Sequence, residues 1–128
     1  HNLPDVKVPL KFTGPVLADI YLGKITRWNA ESLKILNPGV DLPDLSITVV
    51  RRADSSGTSY IWTDYLSKAS AQWEAQIGRG TMVKWPVGES GNGNNGVATL
   101  VSRNVGSIGY LELTYALENN LKIGLIKN

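Results

Sequence analysis

One stretch, from Ser46 to Tyr65, constrains the fold more than any other part of the chain. It reads SITVVRRADSSGTSYIWTDY: a β-branched apolar run, two arginines, a Ser/Gly/Thr turn, and then apolar residues at helical spacing. β-Branched residues favour a buried strand, and Asp, Ser and Gly in a turn are typical of a helix start. The stretch therefore predicts a strand over residues 47–51 and a helix from about Gly57 to Lys68.

The turn between this strand and this helix has the chemistry of an anion site. A helix leaves its first backbone N–H groups unpaired at the positive end of its dipole, so a small oxyanion fits there. Arg52 adds a fork-shaped donor, which we expect Asp54 to orient. Ser56 and Thr58 add hydroxyls, and Gly57 lets a ligand approach the backbone closely. A capped turn with solvated arginines would give the same pattern, so residue types alone leave both interpretations open.

Composition indicates one folded domain and argues against several functions. The 128 residues are 42% hydrophobic and 19% charged, which is ordinary for a domain with a core. The net charge of +2 comes from 13 basic and 11 acidic residues spread along the chain. Binding to nucleic acid normally needs a clustered basic face, and no apolar run is long enough to cross a bilayer. We therefore expect neither a nucleic-acid partner nor a membrane span.

Metal and nucleophile chemistry lack the residue types that they need. The chain has no cysteine, and its single histidine is His1. A zinc site is therefore not expected, and a serine hydrolase would lack its usual base. We expect no metal, no cofactor and no catalytic residue. The first residues, HNLPDVKVPLKF, show neither the charged nor the apolar region of a signal peptide, so none is expected in this chain.

Strand and helix patterns alternate along most of the chain, which predicts an α/β fold with a sheet covered on both faces. Residues 6–12 are typical of an edge strand or a crossover. Thr13 can cap a first helix that ends at Gly23. Because ligands in such sheets lie at the carboxyl ends of strands, segment 51–58 is in the expected place.

The second half of the chain gives further predictions. Thr81 to Trp85 is typical of a short strand. Gly88 to Gly96, GESGNGNNG, has four glycines in nine positions and predicts a flexible loop before a helix. A phosphate cradle is the alternative, although the spacing matches neither the P-loop nor the dinucleotide pattern. Ser107 to Leu111 predicts a buried strand, and Leu121 to Ile126 a last strand.

Several segments together resemble the periplasmic phosphate-binding proteins that deliver phosphate to bacterial ABC importers. These segments are TGPVLADIYLGKITRWN, LNPGVDLPDLSITVVRRADSSGTSYIWTDYLSK, GTMVKWPVG and GSIGYLELTYAL, in the family's order. The resemblance implies a type II periplasmic-binding-protein fold: one three-layer α/β domain over residues 1–128, with a mixed, mostly parallel sheet and helices on both faces. Proteins of this family have two lobes, and this chain is similar to the second, inserted lobe. Residues 1–12 and 121–128 would then be crossover strands toward the other lobe.

The resemblance also implies a set of phosphate ligands. The family's motif R-x-D-x-S-G-T holds the second lobe's share of the phosphate site. Position by position, it makes Arg52 the guanidinium ligand and Asp54 its salt-bridging partner. It makes Ser56, Gly57 and Thr58 the hydroxyl and backbone donors.

Two positions depart from the family's pattern, and half of the site is absent. Ser55 stands where glycine is frequent, and Asn92 stands where the glycine-rich loop usually has a lysine, so we assign that loop no ligand. The other lobe is implied to supply further donors and the carboxylate that distinguishes phosphate from sulfate by accepting a proton. We therefore expect weak binding of phosphate, and also of sulfate, by this chain alone. The implied location is periplasmic or otherwise outside the cytoplasm, with ABC transporter membrane subunits as partners.

The leading hypothesis is a non-catalytic solute-binding domain that contributes half of an inorganic phosphate site. Two alternatives stay open. An isolated lobe could act as an interaction module or dimerise through an exposed apolar cleft face; the candidates for that face are Trp28, Trp62, Trp73 and Trp85. A phosphoester hydrolase could use Ser56 with Asp54 as base, although a lone carboxylate activates a serine hydroxyl poorly.

Overall fold

The computed structural model describes residues 1–127. The strands in that part of the chain are β1 Lys11–Thr13, β2 Thr48–Arg52, β3 Glu89–Gly91, β4 Ser107–Ile108 and β5 Leu125–Lys127. The helices are α1 Gly14–Tyr21, α2 Glu31–Leu36, α3 Gly57–Ala69, α4 Ala71–Gln76, α5 Gly93–Arg103 and α6 Leu113–Glu118. Within these residues, no helix has both the length and the apolar character that a membrane span requires.

The central strand is β2, which lies between β3 and β4 in a three-stranded parallel sheet. β1 and β5 pair in parallel as a separate two-stranded sheet. An isolated antiparallel bridge joins Arg27 to Ser46. Helices lie between the paired strands along the chain, as parallel pairing requires. The predicted α/β fold with a mostly parallel sheet is confirmed, with its strands divided between two sheets.

Helices cover both faces of the three-stranded sheet because successive side chains of β2 point in opposite directions. Val49 belongs to the larger apolar cluster, which also contains Leu17 of α1 and Leu66 of α3. The next residue, Val50, belongs to a second cluster on the other face, together with Val97 of α5. Burial on both faces explains why this strand reads as a continuous apolar run.

The strand predicted over Thr81 to Trp85 is wrong. The Thr81 carbonyl accepts a hydrogen bond from the Ser56 N–H at 2.9 Å, so this backbone holds the start of α3 instead of joining a sheet. The Trp85 ring packs in the aromatic core against Tyr21, Trp73 and Tyr110. The β-like pattern therefore reflects side chains that anchor a loop.

The flexible loop predicted over Gly88 to Gly96 is also wrong. It contains β3 and the first turn of α5. A Cβ atom on Gly91 would lie 2.7 Å from the backbone carbonyl carbon of Gly96, so glycine permits the end of the strand to pack directly on the start of the helix. Backbone pairing of β3 with β2 needs no apolar side chains, which is why composition did not reveal it.

The start and end of the first helix are confirmed, whereas the last two predicted strands are only partly confirmed. The Thr13 Oγ1 accepts a hydrogen bond from the Val16 N–H at 3.4 Å and caps α1, and Gly23 follows that helix with a φ of 80°. The strand predicted over 107–111 is limited to β4, and the last predicted strand is β5. The assignment of residues 1–12 and 121–128 to crossover strands stays a prediction; in that second range, residue 128 lies outside the described residues.

Candidate anion-binding site

The candidate site lies where β2 ends and α3 begins. Ser56 is the N-cap of α3, and its Oγ accepts a hydrogen bond from the Ser59 N–H at 3.1 Å. A serine hydroxyl that accepts one bond still has its own proton to donate. Ser56 is buried, at 5% exposure, at the start of the helix.

The first turn of α3 offers backbone donors. Within the described residues, the N–H groups of Gly57 and Thr58 make no hydrogen bond, as expected for the first turn of a helix. Gly57 is exposed, and a Cβ atom there would have no other atom within 4 Å. The helix therefore presents its positive end to an open surface, which suits an anion.

Arg52 forms a two-point ion pair with Asp54. The Arg52 Nε and Nη2 atoms donate to Asp54 Oδ1 and Oδ2, both at 2.8 Å. The side chain of Arg52 is only 10% exposed. The hydrogen bond from Arg52 is the main reason why the pKa of Asp54 lies well below its usual value, and the same bond raises the pKa of Arg52. The Nη1 edge of the guanidinium makes no hydrogen bond within residues 1–127, so it can serve an anion.

Asp54 also caps a second helix. Its Oδ1 accepts a hydrogen bond from the backbone N–H of Gly93, the first residue of α5, at 3.1 Å. The local N-cap residue, Asn92, makes no side-chain capping bond. The Asp54 carboxylate thus faces a guanidinium and a helix N-terminus together. Its negative charge is compensated by both, which reduces its repulsion of an anion next to Arg52.

Tyr110 joins the strand side of the site to the helix side. Its hydroxyl accepts a hydrogen bond from the Arg52 backbone N–H at 3.1 Å and lies 2.6 Å from the Ser59 Oγ. The sequence reasoning missed both Tyr110 and Gly93 as residues of the site. A tyrosine inside an apolar run was the available signal for the first, because a buried hydroxyl needs a partner. No local signal pointed to Gly93.

The other residues of this segment take separate positions. Arg51 points away from the turn and donates to the carbonyls of Val87 and Gly88, both at 3.3 Å. It therefore stabilises the segment that leads into β3. Thr58 is half-buried, and Ser55 is exposed in the turn. In the part of the chain that the structure describes, no group of three or more His, Cys, Asp or Glu side chains could hold a metal ion.

A largely apolar groove of about 470 Å³ begins at Thr58 and runs along α3 toward β5. Its exposed apolar residues are Ile61, Leu113, Ile123 and Ile126. Of the four tryptophans considered for an exposed face, Trp28 and Trp73 are fully buried, and Trp62 lines the groove while half-buried.

Comparison with known proteins gives a family and several relatives. The PBP superfamily domain matches residues 3–125 of this chain. The phosphate-binding protein PstS of Xylella fastidiosa (strain Temecula1) is 50% identical over 119 residues, which cover 93% of this chain and 33% of that protein. The phosphate-binding protein PstS of Pasteurella multocida is 50% identical over 128 residues, which cover 99% of this chain and 37% of that protein. The chain therefore spans about a third of the length of these relatives.

Solved structures agree with the fold. PstS from Borrelia burgdorferi superposes with a TM-score of 0.67 at 27% identity, covering 98% of this chain and 45% of that chain. A phosphate-binding protein from Stenotrophomonas maltophilia superposes with a TM-score of 0.62 at 19% identity, covering 98% of this chain and 38% of that chain. The second likeness concerns the fold alone.

Proposed function

This chain belongs to the PBP superfamily, and from that premise we propose that it is a non-catalytic solute-binding domain that supplies half of an inorganic phosphate site for ABC-type phosphate import. One observation carries the proposal: the guanidinium of Arg52 is held by Asp54 at the end of β2, and the unpaired first N–H groups of α3 follow it in the next turn. Together they offer charge, a planar fork and backbone donors to one tetrahedral anion. Relatives with half of their aligned residues identical carry the name phosphate-binding protein.

We propose that the other half of the site lies on a second lobe. The chain spans about a third of its relatives' length, and all of the proposed donors come from one short segment, residues 52–58. The second lobe would supply further donors and the carboxylate that selects phosphate over sulfate. The same proposal includes a location in the periplasm or otherwise outside the cytoplasm, and ABC transporter membrane subunits as partners.

The geometry supports binding over hydrolysis. A general base works best with a pKa near the working pH, whereas Arg52 and the Gly93 N–H hold the pKa of Asp54 well below its usual value. Both carboxylate oxygens already accept hydrogen bonds. The Ser56 Oγ is engaged as a helix cap. A Ser56 nucleophile with Asp54 as its base therefore has no support in this arrangement.

Calorimetric titration of the 128-residue chain tests the proposal. We expect weak phosphate binding with little discrimination against sulfate, since half of the donors and the enclosure that excludes water are supplied elsewhere. Arg52→Ala should abolish this binding. Arg27→Ala is the matched control, because Arg27 forms an exposed pair with Asp44 at 2.6 Å, and it should bind as the unchanged chain does. Undiminished affinity in Arg52→Ala would remove the proposed site, and tight binding that ignores sulfate would contradict the half-site.

The apolar groove favours a second candidate function, self-association. Ile61 and Leu113 are 71% and 60% exposed within it, although apolar side chains of this size normally gain by burial. A second copy of this chain, or the other lobe, would cover them. The oligomeric state of the chain in dilute solution separates these two outcomes.

A further inference from the structure

We propose that Tyr110 is a positioning residue for anion binding: its hydroxyl sets the distance between the Arg52 guanidinium and the donors at the start of α3. The inference rests on the proposed phosphate site and assigns a role to a residue outside the R-x-D-x-S-G-T motif. Tyr110 lies 58 residues from Arg52 along the chain, beyond the end of β4.

The hydroxyl of Tyr110 forms hydrogen bonds to both β2 and α3, which the chain connects through an exposed turn. Arg52 is the last residue of β2, and Ser59 lies in the first turn of α3. Between them runs a turn in which Ala53 and Ser55 are exposed. The Tyr110 Oη lies 3.1 Å from the Arg52 N atom and 2.6 Å from the Ser59 Oγ, so a single oxygen ties the strand end to the helix start.

The ring of Tyr110 keeps that oxygen in place. It stacks with the rings of Trp62 and Trp85, each with its centroid 5.7 Å away, at interplanar angles of 15° and 29°. The ring of Tyr21 is tilted against it, with its centroid 6.1 Å away. Tyr110 is only 6% exposed. A side chain packed in this way sits in a rotamer minimum, so its hydroxyl is held in position on average.

The two residues that contact the Tyr110 hydroxyl also position the proposed phosphate donors. The backbone N–H of Ser59 donates to the Ser56 Oγ at 3.1 Å, so the residue that contacts Tyr110 also orients the N-cap hydroxyl. On the other side, the hydrogen bond to the Arg52 N–H holds the backbone from which the guanidinium extends. Burial raises the pKa of Tyr110, so its hydroxyl stays neutral and keeps both hydrogen bonds.

Tyr110→Phe in the 128-residue chain tests the inference, because phenylalanine keeps the stacked ring and removes only the oxygen. We expect phosphate affinity, measured by calorimetry, to fall about three- to tenfold, because the hydrogen bonds to the Arg52 N–H and the Ser59 Oγ are both lost. Tyr115→Phe is the control, since the Tyr115 hydroxyl on α6 makes no hydrogen bond among residues 1–127, and it should leave affinity unchanged. Nuclear magnetic resonance should show phosphate-induced shifts of the Arg52 backbone N–H and Nε–H that are smaller in Tyr110→Phe.

Ser59→Ala removes the hydrogen bond between Tyr110 and α3 from the helix side. It is the alternative test if Tyr110→Phe folds poorly. The double variant should bind about as weakly as either single variant, because both remove one bridge. Equal phosphate affinity in Tyr110→Phe and the unchanged chain, even with a lower unfolding temperature, would overturn the positioning role and leave the proposed function intact. Failure of the unchanged chain to bind phosphate would overturn both.

Discussion

Asp54 is the residue on which the electrostatics of the site depend. A carboxylate beside an anion site would ordinarily repel the ligand, but each oxygen of Asp54 accepts from Arg52, and Oδ1 also accepts from the start of α5. The formal charges of Arg52 and Asp54 cancel, so an anion meets guanidinium donors and the positive ends of helices without a net negative charge beside it. Asp54 therefore orients the Arg52 guanidinium and leaves donors of the site for the anion.

Asp54→Asn should weaken phosphate binding at least tenfold, because an amide cannot hold the guanidinium at two points. Asp44→Asn breaks the comparable exposed pair with Arg27 and should have no effect. Titration calorimetry of the two variants at one salt concentration makes the comparison. If both variants bind like the unchanged chain, the ion pair has no part in recognition.

The pH dependence of the Arg52–Asp54 pair follows from the lowered pKa of Asp54. A depressed carboxyl pKa gives a contribution to stability that is present above the unfolded value of about 3.9 and is lost as pH falls through the folded value. The carboxyl carbon-13 resonance of Asp54 should therefore titrate well below that of an ordinary aspartate. In Arg52→Lys the midpoint should move upward, and an ordinary midpoint in the unchanged chain would contradict the pairing.

Gly57→Ala separates folding from binding. A Cβ atom there meets no other atom within 4 Å, so the fold should tolerate it, and alanine in a helix gains about 0.5–1 kcal/mol over glycine. The same methyl group would shield the backbone donors of the first turn from a close anion. We expect an unchanged or higher unfolding temperature together with weaker phosphate binding. Binding that survives intact would indicate that the anion does not approach the backbone of Gly57.

Helices α3 and α4 begin with the same capping device, and this allows a matched comparison between elements. Ser56 caps α3 and Ser70 caps α4, each accepting an N–H bond at 3.1 Å from the residue three positions on. Ser56→Ala and Ser70→Ala should each lower the free energy of unfolding by about 1 kcal/mol. Only Ser56→Ala should also reduce phosphate affinity. Equal affinity in the two variants would restrict Ser56 to a structural role.

The elements that carry strong local signals could be predicted from the sequence. The strand predicted over residues 47–51 occurs as β2, shifted by one residue, and the helix predicted from about Gly57 occurs as α3. Both follow from β-branched residues, a serine cap and helical spacing. β3 could not be predicted, because it consists of Glu89–Gly91 and forms only by backbone pairing with β2. The same limit applies to the site: Arg52 and Asp54 are neighbours in sequence, whereas Tyr110 reaches them through tertiary packing.

For the whole molecule, the apolar groove predicts concentration-dependent association. Ile61 lines the groove at 71% exposure, and Ile35 on α2 is 69% exposed outside it. Ile61→Glu should shift the chain toward monomer because it puts a charge into the buried contact, and Ile35→Glu should not. Light scattering across a dilution series measures the change. If the unchanged chain is a monomer at all concentrations, the groove does not mediate self-association, and the other lobe would be its expected partner.

The long-range contacts of the site decide when it forms. Gly93 and Tyr110 contact Asp54 and Arg52 across 39 and 58 residues of chain. Contacts between residues far apart in sequence slow folding, so we expect the donors to reach their geometry only after β3, α5 and Tyr110 have docked. A partly folded chain then has no organised site for an anion to stabilise. Bound phosphate should accordingly slow unfolding while leaving the folding rate unchanged.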